Sequence, residues 1–450
     1  MKIWVAQTLS AALLLLLVLG SVLLIWTGGQ QRILPESKKH HVLRRALMVT
    51  SLINAQVQQL QTLPSGPPLH KDTAITSLAV DHSDARNDVG SNGNGTSVAF
   101  NDRYQESRKS NDPDVVHLNV KAGAYLELDD AVEDGIFWNS ALDALTPSGF
   151  SDYQVDQWSK LVRGSSIVSL QPGCGRAPNR LARLQEADNT GNVIPACVRY
   201  GINTEQIVGE TLSFYLSRLL GIENVPPLAL AKVGPSRALW RDVAAEQTDA
   251  QWVDGALVSV TKWVANLSEV VTPAPLRSDS GWRLHPSWND WGNRTTQEVL
   301  ELIQWTDLII FDYLTANFDR LVSNLFSKQW DPRIMERATS NLHRTPGGSL
   351  LFIDNEAGLL HGYRVKAMWD KYHEPLLKSV CIFRRRTASK VIELHRLRNA
   401  AQQLCKLYQA REPLHSELGF MSELHAQELQ NRIDLLYKHI LHCKSTYGEV

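Results

Sequence analysis

The sequence has no Cys-x-x-Cys pair and only five cysteines in all. That removes the spacing on which a zinc site or a thioredoxin-like centre is built. There is no surplus of basic residues: 46 Lys and Arg stand against 47 Asp and Glu, a formal net charge of −1. A nucleic-acid binder needs a basic excess on at least one face to neutralise phosphates, so that class is excluded. The local basic clusters, Lys38 and Lys39 with Arg44 and Arg45, and the run Arg384 to Arg386, read as solvated faces. No internal repeat of useful period is present. What remains is an ordinary globular composition, 43% hydrophobic over 450 residues, enough for two domains or one large one.

The one long apolar run lies at the N-terminus, from Leu9 to Trp26, broken only by Ser10, Gly20 and Ser21. It matches a bilayer-spanning helix in length and carries no small-x-small cleavage site, so residues 1–27 are expected to be a signal anchor. Lys and Arg are more frequent after the run than before it, against the usual vote for a luminal C-terminus. The sequons at Asn94, Asn266 and Asn293 decide for the luminal side, the only place where they are usable. In an oxidising lumen the expected pairing is Cys174 with Cys197 and Cys381 with Cys443, leaving Cys405 free. Residues 28–114 form a stem, largely disordered where Ser, Asn, Asp, Gly and Pro crowd its second half, with Arg44-Arg45 either a processing site or helix surface.

The folded part is expected to comprise 115–235, a strand-rich lobe with a glycine turn and an acidic helix, and 236–450, mainly helical. "SSIVSLQPGCGRAPNRLARLQ" reads as strand, turn, strand, and "NVIPACVRYG" as a further strand. A helix follows, capped by Asn203 and stopped by Gly221, and then two more strands in "VPPLALAKV" and "GALVSVTKWV". Thr295 and Glu298 form a capping-box pattern ahead of a helix with the apolar stripe Val299, Leu302, Ile303, Leu308 and Ile309. "GGSLLFIDNEAG" reads as a short strand, and helical spacing fills the two long C-terminal stretches, 374–408 and 423–443.

One stretch breaks this pattern. In "FDYLTANFDRLVSNLF", residues 311–326, an apolar helix gives way to an aspartate, an arginine and two asparagines. Asp319 and Asn324 have D-x-x-x-x-N spacing, and Asp354 ends the apolar strand "SLLFIDNE" 35 residues after Asp319. Phosphoryl transfer needs one carboxylate to orient the attacking hydroxyl and another to hold the metal that bridges phosphate oxygens. The polar interruption therefore reads as a catalytic loop, although the spacing by itself also describes a helix cap beside a turn.

The stretches "GCGRAPNRLARL", "CVRYGINTEQIVGETLSFYLSRLLG", "IQWTDLIIFDYLTANFDRLVSNLFSKQW", "FIDNEAGLLHGYRVKAMWDKYHEPLL" and "KHILHCK" resemble the four-jointed box proteins across nearly all of the chain after residue 150. The resemblance implies an α+β, atypical two-lobed protein-kinase-like fold behind the anchor and stem. It also implies a type II Golgi membrane protein with a luminal catalytic domain, anchored or released, that uses ATP and Mn²⁺ or Mg²⁺. The implied substrates are Ser or Thr in extracellular cadherin repeats of the Fat and Dachsous type, and the implied process is planar polarity and growth. By the same resemblance Asp319 is the catalytic aspartate and Asp354 binds metal, while Glu205 helps bind metal and Glu210 pairs with a phosphate-binding cation. Five residues apart, those glutamates stand about 140° apart around a helix.

The chain departs from the kinase pattern at three places. Arg199 stands where those kinases place lysine, and the swap changes geometry as well as reach. The glycine turn has Gly173 and Gly175 but Pro178 at the third position, where no backbone N–H is offered. The order H-R-D is absent, with Phe318 before Asp319 and Arg320 after it. A luminal Ser/Thr kinase is the leading reading, and a kinase-fold signalling protein of little activity, acting by binding a partner, is the second. A glycosyltransferase ranks last, because its metal-binding D-x-D occurs only as Asp112-Pro113-Asp114 in the stem.

Overall fold

The computed structural model describes residues 125–186, 192–201, 203–277, 284–286 and 294–448. All of these belong to the compact unit Asp72–Val450. The expected anchor and the whole of the expected stem, with Asn94, lie outside the described residues, as does Asn293.

Helix α1, Asp152–Gly164, opens on a capping box in which Ser151 and Gln154 exchange bonds. It leads into an antiparallel sheet built from β1 (Ser165–Pro172), β2 (Arg180–Glu186), β3 (Val193–Tyr200), β4 (Leu228–Lys232) and β5 (Leu257–Lys262), in the order β1-β2-β3-β5-β4. The two-residue period of the strands sends Ile167, Ala182, Leu184, Ala196, Val198, Val258 and Val260 into one core with Trp158 and Val162 of α1. Trp158 locks the helix on by donating Nε1–H to Val260 O (2.9 Å). The same alternation sends Arg199, next after Val198, to the other face. The sheet draws β5 from beyond residue 235.

Helix α2, Thr204–Leu219, starts at Asn203, whose side chain accepts from Gln206 N. It is buried on every side from Ile207 to Ser217, as a helix enclosed by other elements must be. It packs on β5, on the segment after Phe352 and on α8, introduced below.

The helical part begins with α3, Thr296–Thr315, whose capping box between Thr295 and Glu298 forms as the sequence indicates. Ala316 ends the helix in the left-handed conformation (φ 51°). Helix α4, Leu321–Ser327, follows four residues later. A second sheet joins β6 (Ser268–Val271), β7 (Ala338–Arg344) and β8 (Leu350–Phe352) in the order β8-β7-β6. After β8 come α5 (Leu360–Arg364), α6 (Lys366–Lys378), α7 (Arg385–Leu397), α8 (Ala400–Arg411) and α9 (Glu423–Tyr447).

The stretch 374–408, read as helical from its leucine spacing, is broken between Ser379 and Arg384 and again at Arg398 and Asn399. At the first break its backbone is used elsewhere: Cys381 N–H donates to Leu284 O (2.8 Å) and Phe383 N–H to Ile136 O (2.8 Å). Cys381 is also bonded to Cys443 of α9. Helical periodicity persists in the sequence, but tertiary pairing takes the hydrogen bonds.

Candidate functional site

The site is assembled around one arginine. Asn317, Phe318 and Arg320 are buried, and of the four residues after Ala316 Asp319 alone stays partly accessible. Arg320 is wholly buried and uses all of its guanidinium. Nη1 bonds the Asp312 carboxylate on α3, Nη2 bonds Ile353 O (3.1 Å) and Asn355 Oδ1, and Nε donates to Asn341 O (3.2 Å). One side chain thus ties the loop of Asp319 to the residues on both sides of Asp354.

Asp319 is fixed by a second device. Its own N–H donates to Asn317 Oδ1 (3.0 Å), and Asn341 donates Nδ2–H to Asp319 Oδ2 (2.9 Å). Asn341 sits in the left-handed region (φ 58°), where the pairing of β7 with β6 shifts register. Such irregularities re-aim a side chain, and here it is aimed at the carboxylate. Asn324 lies buried in α4 with its backbone N–H on Arg320 O (3.2 Å).

Asp354 follows β8 in the left-handed conformation (φ 58°, ψ 59°), a strained position for a non-glycine residue that the surroundings must hold. Asn355 supplies the hold: it is buried, donates Nδ2–H to Phe352 O (3.1 Å), and accepts from Arg320. Arg199 Nη1 reaches Asp354 Oδ1 at 2.5 Å, and its Nε stands 3.9 Å from Glu210 Oε1. Burial works against the charge on Arg199, but Asp354, Glu210 and Glu356 outweigh it and raise its pKa. Burial also raises the Glu210 carboxyl, opposed by Arg199 and by a hydrogen bond from the Asn355 backbone.

The structure therefore brings Arg199, Glu210 and Asp354 together, and Arg320 ties the loop of Asp319 to the segment that carries Asp354. Glu205 goes elsewhere: its carboxylate pairs with Arg364 on α5. The acidic group beside Asp354 is instead Glu356. Burial, then the charge of Asp354, push its carboxyl up to about 7 against the pull of Arg176 and Arg199. Arg176 lies in the glycine turn and grips Glu356 with both arms, Nη1 to Oε1 at 2.9 Å and Nη2 to Oε2 at 2.7 Å.

The turn itself is fastened at several points. Gly175 adopts φ 102°, which favours glycine, and Asn179 pins the turn by donating to Cys174 O (3.2 Å) while accepting from Tyr200 N–H (3.2 Å). Cys174 is bonded to Cys197 of β3, as expected, and Cys405 is free. Pro178 gives its carbonyl to Trp252 Nε1–H (2.9 Å), a use that needs no N–H. A methyl group at Gly173 would meet Leu181 Cβ at 3.0 Å. Asn266 is exposed in the turn before β6 with φ 56°, accessible to a glycan.

Arg320, Glu356, Arg176, Asn341 and Asn355 were not singled out by sequence. Arg320 and Glu356 adjoin assigned aspartates, and Arg176 lies inside the quoted turn, so position flagged them but chemistry did not. A cation would find Glu210 Oε2, buried and without a hydrogen-bond partner, next to Asp354 and Glu356, so the donor set fits a hard divalent ion.

The family model for the four-jointed box protein middle domain matches residues 153–446, which contain every residue of this cluster. The chain belongs to the four-jointed box family. It is 57% identical over 323 residues to four-jointed box protein 1 of Homo sapiens, covering 71% of this chain and 72% of that protein. To the extracellular serine/threonine protein kinase four-jointed of Drosophila melanogaster it is 34% identical over 317 residues, 60% of this chain and 53% of that one. Among solved structures, the Golgi casein kinase with Mn/ADP bound aligns over 67% of this chain and 79% of its own, with 13% identity and a TM-score of 0.44. Hydra Fam20 with sugar aligns over 71% and 95%, with 15% identity and the same TM-score, 0.44. The cluster built on Arg320 is thus a feature of a four-jointed box middle domain.

Proposed function

We infer that this four-jointed box chain is an ATP-dependent serine/threonine protein kinase with a two-lobed, kinase-like arrangement, the nucleotide lying between the five-stranded sheet and the helical part. The observation that carries this is Arg320, which holds Asp319 and the Asp354 segment to one another beside Arg199 and Glu210. A bound divalent cation would supply neutralisation of phosphate charge. Asp354 and Glu210 are the residues to hold it, with Arg199 on the phosphates and Asp319 accepting a bond from the attacking hydroxyl. Asn341 keeps the Asp319 carboxylate turned toward that hydroxyl.

The named activity of the Drosophila relative supports a protein acceptor outside the cytosol. With the apolar N-terminus it makes a Golgi-anchored, luminal enzyme, anchored or released, the natural reading. Cadherin repeats of the Fat and Dachsous type are the acceptors proposed, and planar polarity and growth the process. A second reading rests on Arg199: its bond to Asp354 occupies the very carboxylate a cation needs, which suits a partner-binding protein of little activity.

The deciding measurement is thermal stability of the purified full chain with ATP and Mn²⁺, followed by transfer to cadherin repeats. Ligand that binds only the folded state raises the melting temperature. The kinase reading expects a metal-dependent rise that Asp354→Ala abolishes, and an Asp319→Ala variant that still binds nucleotide but transfers nothing. No rise at millimolar ATP leaves the partner-binding reading.

A further inference from the structure

Two arginine–carboxylate pairs join the five-stranded sheet and its glycine turn to the segment after β8. Arg199 joins Asp354, and Arg176 joins Glu356 in a bidentate pair that runs from the glycine turn to the segment after β8. Both members of the second pair are mostly buried, with side chains 17% and 21% exposed. Arg176 also reaches Tyr200 O (3.4 Å), and Gln206 of α2 donates Nε2–H to Glu356 Oε1 (3.5 Å), so the pair meets strand, helix and turn at once. Arg176 Nε remains buried without a partner.

We propose that Arg176 and Glu356 are an exchange pair for the nucleotide and its cation: phosphate oxygens take the Arg176 fork, and Glu356 so released joins Asp354 on the metal. The chemistry of the pair favours this exchange. A planar guanidinium matches phosphate in the same bidentate manner as it matches carboxylate. Glu356, Asp354 and Glu210 are three carboxylates that meet the two guanidiniums of Arg176 and Arg199, so acidic groups outnumber the cations paired with them. ATP alone would face that negative set, and a cation alone would have to strip arginines from carboxylates and leave them unpaired in a poorly solvated place. Arriving together, phosphate and cation exchange one set of paired charges for another. Each must then raise the affinity of the other by the same factor.

This rests on the nucleotide-cleft reading above. The test is equilibrium binding of ATP, read by anisotropy of a fluorescent ATP analogue on the full chain, with and without Mn²⁺ at mildly alkaline pH. The wild type is expected to bind at least tenfold more tightly with Mn²⁺ than without. Arg176→Met should lose at least tenfold in the presence of Mn²⁺, and Arg176→Lys should recover part of it. Glu356→Gln should move two quantities in opposite directions, strengthening metal-free ATP binding while shrinking the Mn²⁺ enhancement. A merely structural pair would weaken both. Wild-type binding that persists unchanged in Arg176→Met and Glu356→Gln overturns the exchange pair and spares the nucleotide cleft. No binding by the wild type in either condition overturns both.

Discussion

Arg199 Nη1 lies 2.5 Å from Asp354 Oδ1, while its Nε stands 3.9 Å from Glu210 Oε1. One guanidinium thus serves two buried or half-buried carboxylates contributed by a helix and by the end of a strand. Removing it strands both. Arg199→Met is expected to destabilise the domain by about 3–5 kcal/mol, the usual cost of breaking a buried pair. Arg199→Lys keeps the charge but reaches a single point, so its loss should be smaller. Chemical denaturation of the three proteins checks the order, and a methionine variant as stable as wild type would remove Arg199 as the link.

Arg320 makes the stronger claim, because its partners lie on α3, on β7 and on both sides of Asp354. Asn355→Leu keeps volume but gives up the bonds to Arg320 and to Phe352 O. A buried guanidinium deprived of an acceptor costs about 1–3 kcal/mol. The left-handed Asp354 would also lose its restraint. The expected outcome is a lower melting temperature together with a diminished ATP–Mn²⁺ rise. Retention of the full rise would show that Asp354 is positioned by something other than Asn355.

Much of the site was legible because its chemistry interrupts a pattern. Asp319 breaks an apolar helix, Asp354 ends an apolar strand, and Arg199 alternates with core residues in β3. The cap at Asn203 and the capping box at Thr295 were equally local. What could not be read were relations between distant segments. Helical spacing places Glu205 and Glu210 on different sides of α2, yet only the packing of that helix decides that Glu210 meets Arg199 while Glu205 meets Arg364. Asn341 reaches Asp319 only through a register shift in β7, which no residue in "ATSNLHR" announces. Arg320 reads as an exposed arginine beside an aspartate, and its four acceptors come from chain as far as Asn355. Helix α1 was missed although Ser151 and Gln154 show its capping box.

Glu356 makes stability depend on pH. Its carboxyl, ordinarily at 4.5, is pushed up to about 7 in the folded chain, by burial first and by Asp354 next. Between those values the folded state holds a proton that the unfolded state has released. The stability this gives is complete below about 4.5 and is lost as pH rises through about 7. Glu356→Gln is neutral throughout and removes the effect. Melting temperatures of the ligand-free protein should therefore fall less steeply from pH 5 to 8 in Glu356→Gln than in wild type. Parallel curves would contradict the raised carboxyl.

The disulfide between Cys174 and Cys197 closes a chain separation of 23 residues and fastens the glycine turn to β3. A loop of that size confers about 3 kcal/mol by restricting the unfolded chain. Because Arg176 lies two residues from Cys174, the bond also limits where its guanidinium travels. The double variant Cys174→Ser with Cys197→Ser should lower the denaturation midpoint and weaken ATP–Mn²⁺ binding. Loss of stability with undiminished binding would confine the bond to a structural role.

Gly209 tests how α2 is seated on the Asp354 segment. It occupies a helix interior, where alanine is favoured over glycine by about 1 kcal/mol. On propensity alone, Gly209→Ala would stabilise the protein. The packing argues the opposite, because a Cβ there would stand 2.9 Å from Glu356 O and 3.0 Å from Gly358 O, both backbone atoms that no rotamer change can move aside. Overpacking of this kind costs about 1–3 kcal/mol, which exceeds the gain. The displaced segment is the one carrying Asp354, Asn355 and Glu356, so the strain would fall on the carboxylates as well as on the fold. The expected result is a lower melting temperature without ligand and a smaller rise with ATP and Mn²⁺. A stabilised variant with the full rise would mean that α2 and this segment separate freely, and that their close approach does not fix the site.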